Sequence, residues 1–458
     1  MNKVFVMPQK ACPVKGMFDV VICGGGPAGI GAAVAAAKNG ASVAIVEQFG
    51  SLGGLATLGQ ITNLESDGYT NGTSVYAGGV FEELLQNMVA EKGAIPGYNL
   101  EYEHKWYPFD KTRPEANRKI TLHDTETFKR CADSLMEKYG VKMFFFTFVT
   151  DVIVEDDVVK GIVINDKTGE FVLLAKRVID ATGDAFVASL LNVDCYVPDN
   201  SLMKLNFRAA GIDDVISSYK ADVEELPGKK VDFYPLIPDG MFRFDMTQWW
   251  GNGTDANEIS RGVIECRKQI PSIINWLKKN WPGCENMFLL NSAEMLNVEN
   301  TRTVRGLYTL TSKDITERQV TEDTIAISGC EMSSDSSDVE RTYFGIPYRC
   351  LIPQTNIKNF LVAGRSISID SEVKPLPIST YMSIGEAAGT ASAMSISSDV
   401  SVREVDINLL RAKLISQGAA LEPKPATNRR PRPARYKDTV EEEVQKALDL
   451  IYNDWEGC

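Results

Sequence analysis

Histidine and closely spaced cysteines are scarce in this sequence. Its 458 residues include two histidines, His104 and His123, and nine scattered cysteines, no two of which form a CxxC pair. Iron–sulfur clusters, structural zinc sites and redox-active dithiols draw on closely spaced cysteines, so the sequence argues against all three. The wide spacing is typical of free thiols in a reducing compartment. We therefore expect no bound metal and a cytoplasmic location.

Long apolar runs and an excess of positive charge are missing too. No run of about 18 apolar residues occurs, so we expect no transmembrane helix. The apolar stretch near the start is broken at Pro8–Lys10, unlike a signal peptide. The net charge of -13 opposes attraction to nucleic acid or to an anionic membrane surface. We expect the partner to be a small-molecule substrate, with the oligomeric state open.

A glycine motif follows the first predicted strand. The apolar run Phe18–Cys23 leads into Gly24-x-Gly26-x-x-Gly29, which opens an alanine-rich helix, and the next strand, ASVAIVE, ends at Glu47. Glu47 lies 21 residues after Gly26. A βαβ unit with this motif and spacing is the fingerprint of a dinucleotide-binding fold.

Each position in the motif has a physical role in holding a dinucleotide. Gly24 allows the tight turn, Gly26 lets the pyrophosphate approach the backbone, and Gly29 lets helix and strand pack closely. The helix that starts at Pro27 and Ala28 offers a positive dipole end to phosphate, and its free backbone N–H groups begin at Ala28 because proline has none. Glu47, followed by Gln48, would accept hydrogen bonds from ribose hydroxyls and repel a 2′-phosphate, which argues against NADP.

Further segments decide between FAD and NAD. With the motif above, they resemble the FAD-dependent oxidoreductases related to the fumarate reductase and succinate dehydrogenase flavoproteins, from about Phe18 to about Leu421. The segments that carry the resemblance are Val46–Thr57, Thr147–Val152, Asp180–Asp184, and Val362–Ser368 followed by Ser379–Met394.

The resemblance implies how these segments contact FAD. Gly53 and Gly54, with Leu55, Ala56 and Thr57, would pass beside the isoalloxazine ring. Val149 would face the adenine, while Ala181, Thr182 and Gly183 would close over the adenosine half. Gly364 and Arg365 would lie near the pyrophosphate and ribityl chain. The slim helix that contains Ile384, Gly385 and Ala388 would begin at the flavin C2 carbonyl, where a helix N-terminus stabilises negative charge.

The catalytic histidines of such relatives have no counterpart here. Ser371 stands about where one of them would be, and the flavin motifs contain no histidine, so we expect FAD to be bound non-covalently. Proton transfer then falls to other side chains, and the candidates are Arg302, Tyr348, Lys374 and Tyr381. If their segment is helical, the spacing of three puts Arg302 and Arg305 on one face, where they would hold a substrate carboxylate or form a structural ion pair.

The predicted fold class is α/β, with a Rossmann-like FAD-binding domain of the glutathione-reductase type and an inserted α+β substrate domain. We predict that residues 1–200 form the first part of the FAD domain, with a lid-like insertion at about 97–119. Residues 201–344 would form the substrate or cap domain, whose helical region from Ile259 we expect to be interrupted at Pro271. Residues 345–422 would complete the FAD domain, and 423–458 would form a Pro/Arg-rich linker and a final helix.

The predicted function is hydride transfer between a small organic substrate and N5 of the flavin. A second GxGxxG is absent, which argues against a dedicated NAD(P)H domain, so NADH, a carrier protein, quinone and oxygen all remain open as electron partners. Two alternatives are kept. The chain could be the flavin subunit of an electron-transfer complex, or its flavin could serve a structural or non-redox role.

Overall fold

The structure is a computed structural model that describes residues 11–64, 74–99, 119–213, 223–228, 231–238, 240–329, 343–373 and 375–425. Its strands in chain order are β1 (Val14–Cys23), β2 (Val43–Val46), β3 (Asn63–Leu64), β4 (Ser74–Val75), β5 (Ala94–Asn99), β6 (Lys119–His123), β7 (Lys142–Phe144), β8 (Phe148–Glu155), β9 (Val158–Asp166), β10 (Gly169–Asp180), β11 (Cys195–Tyr196), β12 (Ser201–Lys204), β13 (Phe207–Ala210), β14 (Phe233–Pro235), β15 (Met241–Phe244), β16 (Trp249–Gly251), β17 (Phe288–Ser292), β18 (Asn297–Val298), β19 (Thr303–Val304), β20 (Thr324–Gly329), β21 (Tyr343–Pro347), β22 (Phe360–Val362) and β23 (Lys424–Pro425).

Helices alternate with these strands. In chain order they are α1 (Pro27–Lys38), α2 (Gly79–Ala90), α3 (Thr125–Lys138), α4 (Phe186–Leu190), α5 (Ala256–Asn280), α6 (Ser312–Thr316), α7 (Ile378–Ser397) and α8 (Ile407–Ser416). Short 3₁₀ turns lie at Gly54–Ala56, Tyr348–Leu351 and Gly364–Ser366. Within the described residues, no helix is both long and apolar enough to cross a bilayer.

The main sheet is mixed and gives the molecule an α/β fold with a parallel core. Its strand order is β7-β2-β1-β10-β9-β8, with β22 also pairing β10. Strands β7, β2, β1, β10 and β22 run parallel, whereas β9 pairs antiparallel with both β10 and β8. The predicted strand–helix–strand unit is present as β1–α1–β2. Strands β2 and β22 are short, fully buried apolar runs, as expected where both faces of a parallel sheet are covered.

Helices α1 and α7 pack against each other at very short range. A Cβ on Gly385 would lie 1.9 Å from the Ala28 carbonyl oxygen, and one on Gly389 would lie 2.1 Å from that of Ala32. From the other side, a Cβ on Gly31 would lie 2.1 Å from the Met382 carbonyl oxygen. Glycine is thus required where the two backbones meet. The crossing fixes the start of α7 relative to the glycine turn before α1.

A second core belongs to the inserted region. One face of the sheet β14-β15-β13-β17 packs against α5, and residues from Met203 to Val298 fill the space between them. Helix α5 runs without a break through Pro271, contrary to the expected interruption. Proline removes one backbone hydrogen bond and clashes within the helix. Pro271 itself is exposed, while buried side chains on both sides of it, such as Ile270 and Ile273, hold the helix against the core.

The second core ends earlier in the chain than expected. Strands β20 and β21 pair as a hairpin, and their residues Ile325, Ala326, Phe344 and Ile346 pack in the same core as α1 and α7. The expected bounds of the inserted region, 201–344, stay a prediction. Most of the expected lid, 100–118, and most of the expected linker and final helix, 426–458, lie outside the described residues.

Candidate active site

The glycine turn between β1 and α1 shows three different environments. Gly24 has a φ of +103°, and a Cβ there would lie 2.5 Å from the Ala181 carbonyl oxygen. A Cβ on Gly29 would lie 1.9 Å from the Gly24 carbonyl oxygen. A Cβ on Gly26, by contrast, would meet nothing within 4 Å, although its φ of -69° suits any residue. Gly24 and Gly29 are therefore required by the protein itself, whereas Gly26 leaves space for something else.

That space belongs to a cavity of about 1160 Å³ between the carboxyl ends of the parallel strands and the inserted region. The volume exceeds the roughly 300–1,000 Å³ usual for a small-molecule site. The cavity lies where ligands bind in open α/β sheets. Residues singled out from the sequence that line it are Gly24, Gly26, Pro27, Ala28, Glu47, Gln48, Gly54, Leu55, Val149, Ala181, Thr182, Gly183, Arg302, Gly364, Arg365 and Tyr381.

Glu47 closes the end of β2 and lies on the cavity wall. Its Oε2 accepts a hydrogen bond from the Gly25 N–H at 2.7 Å, and its Oε1 accepts one from the Phe49 N–H at 2.9 Å. Burial raises the pKa of this carboxyl, and these backbone donors oppose the rise. The carboxylate is held rigidly, and each oxygen retains a lone pair for a further donor such as a ribose hydroxyl.

Asp180 shapes the loop that follows β10. Its Oδ1 accepts hydrogen bonds from the Thr182 hydroxyl at 2.6 Å and the Thr182 N–H at 3.1 Å. Its Oδ2 accepts one from the Ala188 N–H at 2.9 Å. Burial raises the pKa of Asp180, and the donors oppose the rise. The fully buried carboxyl therefore fixes Thr182 and Gly183 where they line the cavity.

Arg365 ties this loop to the inserted region. Its Nη2 lies 2.8 Å from Asp184 Oδ1, its Nε donates to the Gly183 carbonyl at 3.0 Å, and its Nη1 donates to the Val298 carbonyl. The guanidinium is therefore already paired with a carboxylate. Arg365 fixes one domain against the other at the cavity wall.

Helix α7 begins at the cavity. Pro377 and Ile378, at its first residues, line the wall, so the positive end of the helix dipole faces the space. Tyr381, one turn further, accepts a hydrogen bond on its hydroxyl oxygen from the Leu376 N–H at 2.9 Å. Burial raises the pKa of Tyr381. Its hydroxyl is thus protonated at neutral pH and remains free to donate.

The opposite wall carries a charged cluster that the sequence analysis did not single out. Lys204 Nζ lies 3.3 Å from Glu299 Oε1 and 3.7 Å from Asp245 Oδ2, and all three residues line the cavity. Lys204 lies opposite Asn297 on β18, and Glu299 follows two residues later on the same face. The alternation of charged and apolar residues around Met203 and Val298 is the only local signal that could have identified this wall.

Comparison with known proteins identifies the chain. Residues 19–414 match the family described as FAD dependent oxidoreductase.

The chain belongs to that family.

FAD is accordingly its cofactor, and the residues present fit it. The open side of Gly26, next to the start of α1, is a cradle that any side chain would fill. The predictions of an FAD-dependent oxidoreductase and of FAD as cofactor are thus confirmed.

Individual relatives show how wide the similarity is. A thiamine thiazole synthase from Pyrococcus furiosus is 31% identical over 173 residues, which cover 36% of this chain and 57% of that protein. A geranylgeranyl bacteriochlorophyll reductase-like protein from Thermoplasma acidophilum has a similar structure, with 15% identity, a TM-score of 0.50, and coverage of 88% of this chain and 84% of that one. A p-nitrophenol 4-monooxygenase from Pseudomonas putida gives 13% identity, a TM-score of 0.49, and coverage of 85% and 82%. Structural similarity at such low identity speaks to the fold alone.

Some residues expected to contact FAD face the protein instead. Gly385 lies in the crossing of α1 and α7, and Ile384 and Ala388 are fully buried. Gly53 has a φ of +107°, a conformation that favours glycine, so the turn itself requires this residue. The Thr57 hydroxyl donates a hydrogen bond to the Leu52 carbonyl at 2.8 Å. The expected residues that do not line the cavity are Gly29, Gly53, Ala56, Thr57, Ile384, Gly385 and Ala388.

Of the proton-transfer candidates, too, some line the cavity and others do not. Tyr348 is fully buried away from the cavity, and its hydroxyl donates to the Val402 carbonyl at 2.8 Å, so it is a packing residue and no longer a catalytic candidate. Arg302 lines the cavity, but it precedes strand β19 rather than lying in a helix with Arg305. Arg305 pairs with Asp194 at 3.0 Å on the surface. Lys374 lies outside the described residues.

Proposed function

We propose that this chain is an oxidoreductase that transfers hydride between a carbon of a small organic substrate and N5 of a non-covalently bound FAD. The FAD domain would be of the glutathione-reductase type, and the inserted region would be the substrate domain. We also keep the kinship with fumarate reductase and succinate dehydrogenase flavoproteins as a proposal. The observation that carries the function is the large cavity, which has the open glycine turn at one side and the charged wall of the inserted region at the other.

The adenosine and pyrophosphate parts of FAD would occupy the side of the cavity that the first domain forms. Glu47 would accept hydrogen bonds from the ribose hydroxyls, and the backbone N–H groups of Gly26 and Ala28 would face the pyrophosphate. Gly183 and Val149 would cover the adenosine half. Because Asp184 neutralises Arg365, phosphate charge would be balanced mainly by backbone N–H groups and the dipole of α1.

The ring of the flavin would lie between Gly54 and the start of α7. When bound, the flavin supplies a hydride acceptor or donor at N5. The protein's part is to place the substrate carbon and to exclude water. The N-terminus of α7 favours negative charge next to it, which would stabilise the reduced cofactor.

Proton handling would fall to side chains that reach the cavity. Tyr381 keeps its proton and donates, and Arg302 binds an anionic group or orients it. Lys374 stays a candidate from the sequence. No contact in the described residues favours either an electron-transfer subunit or a non-redox role, so the electron partner stays open.

A half-reaction experiment tests this assignment. FAD-saturated wild type, Tyr381→Phe and Arg302→Gln would be reduced anaerobically and then reoxidised by candidate acceptors. Because both variants keep the cofactor pocket, we expect full FAD occupancy with slower substrate-driven flavin reduction. Denaturation should release all flavin into the supernatant. Flavin that stays with the denatured protein would contradict non-covalent binding, and unchanged rates in both variants would contradict their roles.

A further inference from the structure

Four polar side chains of the inserted region line the active-site cavity together: Lys204, Asp245, Asn297 and Glu299. We call them the polar wall. Lys204 Nζ lies 3.3 Å from Glu299 Oε1 and 3.7 Å from Asp245 Oδ2, and Lys204 pairs with Asn297 between β12 and β18. The side chains of Lys204, Asp245 and Glu299 are 15%, 19% and 34% exposed. The polar wall is therefore within reach of a molecule in the cavity.

Apolar neighbours in the chain hold the polar wall toward the cavity. Each of Lys204, Asp245 and Asn297 stands between two residues that are buried in the second core. Because side chains alternate along an extended chain, a polar residue between two buried ones points the other way. The flanking core residues are Met203, Leu205, Phe244, Met246, Leu296 and Val298. The second core therefore fixes the side from which the polar wall can be approached.

The segment that carries Asn297 starts next to the place proposed for the flavin ring. The backbone N–H groups of Glu294 and Met295 both donate to the Leu58 carbonyl, at 3.0 and 3.2 Å. Leu58 follows closely on the turn at Gly54–Ala56, and Met295 lines the cavity. Asn297 lies two residues beyond Met295, about 7 Å further along an extended chain. A molecule on the polar wall can therefore extend through the cavity to the ring.

The charged groups of the polar wall leave hydrogen-bonding capacity for a ligand. One ammonium group and two carboxylates give a formal charge of -1, so the charges do not balance. Both distances from Lys204 Nζ also exceed the roughly 2.7–2.9 Å of a charge-assisted hydrogen bond. The ammonium group offers three donors, the carboxylates offer only acceptors, and the amide of Asn297 offers both. A ligand on this wall must therefore both donate and accept.

This arrangement discriminates between classes of ligand. An ammonium group would meet the carboxylates but would approach Lys204, which carries the same charge. A carboxylate or phosphate would meet Lys204 but would face two like charges. A hydrocarbon would cover all three charged groups without pairing any of them, which is costly. A hydroxyl group accepts from the ammonium group and donates to a carboxylate while carrying no charge. Uncharged hydroxyl groups therefore fit the wall best.

We propose that the polar wall binds the substrate, and that the substrate is an uncharged molecule with several neighbouring hydroxyl groups, such as a sugar or a cyclitol. One hydroxyl would accept from Lys204 and donate to Glu299, and a second would donate to Asp245. The amide of Asn297 would bond to a third. This inference rests on the proposed function, because a carbon of the same molecule would face the flavin.

The test measures the binding of matched ring compounds to the FAD-saturated protein at constant ionic strength. Glucose and myo-inositol are uncharged polyols, glucosamine adds an ammonium group, glucuronate adds a carboxylate, and cyclohexanol keeps one hydroxyl. Binding is followed by perturbation of the flavin absorption spectrum and by melting temperature, neither of which needs turnover. Polyols also stabilise proteins without binding, so only a saturable rise in melting temperature counts. We expect glucose or myo-inositol to bind saturably, and the last three compounds to bind at least about tenfold more weakly.

Substitutions in the polar wall should change which charge is preferred. Lys204→Met leaves two carboxylates, so glucosamine should then bind at least about tenfold more tightly than glucose. Asp245→Asn combined with Glu299→Gln leaves one ammonium group, so glucuronate should become the preferred probe. The matched control is Lys268→Met, which removes the same charge from an exposed pair with Glu265 on α5. The control should keep the wild-type order of affinities.

Each outcome supports or contradicts this inference. If the wild type binds neither glucose nor myo-inositol, or binds the charged sugars as tightly, the inference is wrong. If Lys204→Met lowers the affinity for FAD while the wild type binds no polyol, the wall meets the ribityl hydroxyls of the cofactor and not a substrate. If the variants do not fold, the comparison of probes on the wild type still decides. Failure of the wild type to bind FAD contradicts the proposed function instead.

Discussion

Replacing Gly26 and Gly29 in turn separates cofactor binding from folding. In Gly26→Val the new Cβ meets no protein atom within 4 Å, and φ is already -69°, so the side chain projects into the cavity. Gly26 is also the N-cap of α1, where valine is less favourable, so the apoprotein should lose no more than about 1 kcal/mol. The side chain occupies the approach of the pyrophosphate. If the steric overlap costs about 3 kcal/mol of binding free energy, the affinity for FAD falls about 100-fold.

Gly29→Ala should instead destabilise the folded apoprotein. Its Cβ would lie 1.9 Å from the Gly24 carbonyl oxygen, so the turn and α1 must move apart. We expect a loss of about 3 kcal/mol of folding free energy, or roughly 3 °C in the melting temperature of a chain of this length. The assays are FAD titration by fluorescence quenching and thermal denaturation of the apoprotein. Wild-type FAD affinity in Gly26→Val, or equal destabilisation by both changes, would refute the assigned roles.

Further predictions concern buried polar groups. His123 has a pKa of about 4 when folded and 6.5 when unfolded, so stability should fall by up to about 3 kcal/mol as pH drops between these values; denaturation of His123→Asn should lack that dependence. Asp180→Asn keeps one acceptor oxygen and sets an NH2 group against either the Ala188 N–H or the Thr182 donors, so FAD titration should show weaker binding, with wild-type affinity as the contrary result. Glu386→Ala leaves the Val80 N–H at the start of α2 unpaired, so a thermal melt should show a loss of about 2–4 kcal/mol, and an unchanged melt would contradict that contact.

Local signals in the sequence were enough to predict the cofactor side of the fold. Gly24, Gly26 and Gly29 lie within six residues, and the close contact that requires Gly29 is with the Gly24 carbonyl of the same strand–helix connection. Buried strands such as β2 and the Asp124 cap of α3 also depend on neighbouring residues. Such features follow from sequence because their causes are local.

The opposite wall could not be predicted because its parts are distant in the chain. Lys204, Asp245 and Glu299 come from separate segments, and only the pairing of strands in the inserted region brings them together. Residues that looked functional by motif, such as Gly385 and Tyr348, turned out to be packed because tertiary contacts decide which face of an element is buried.

The most direct test of the account is an anaerobic absorption titration of the purified wild-type protein. FAD would be added to the apoprotein and a reductant, NADH or an organic substrate, would follow. We predict saturation at about one FAD per chain with a flavin spectrum altered by the protein, and bleaching of the bound flavin by two electrons. A protein that leaves added FAD unbound, or binds FAD that no two-electron donor can reduce, would contradict the claim that this cavity carries out flavin redox chemistry.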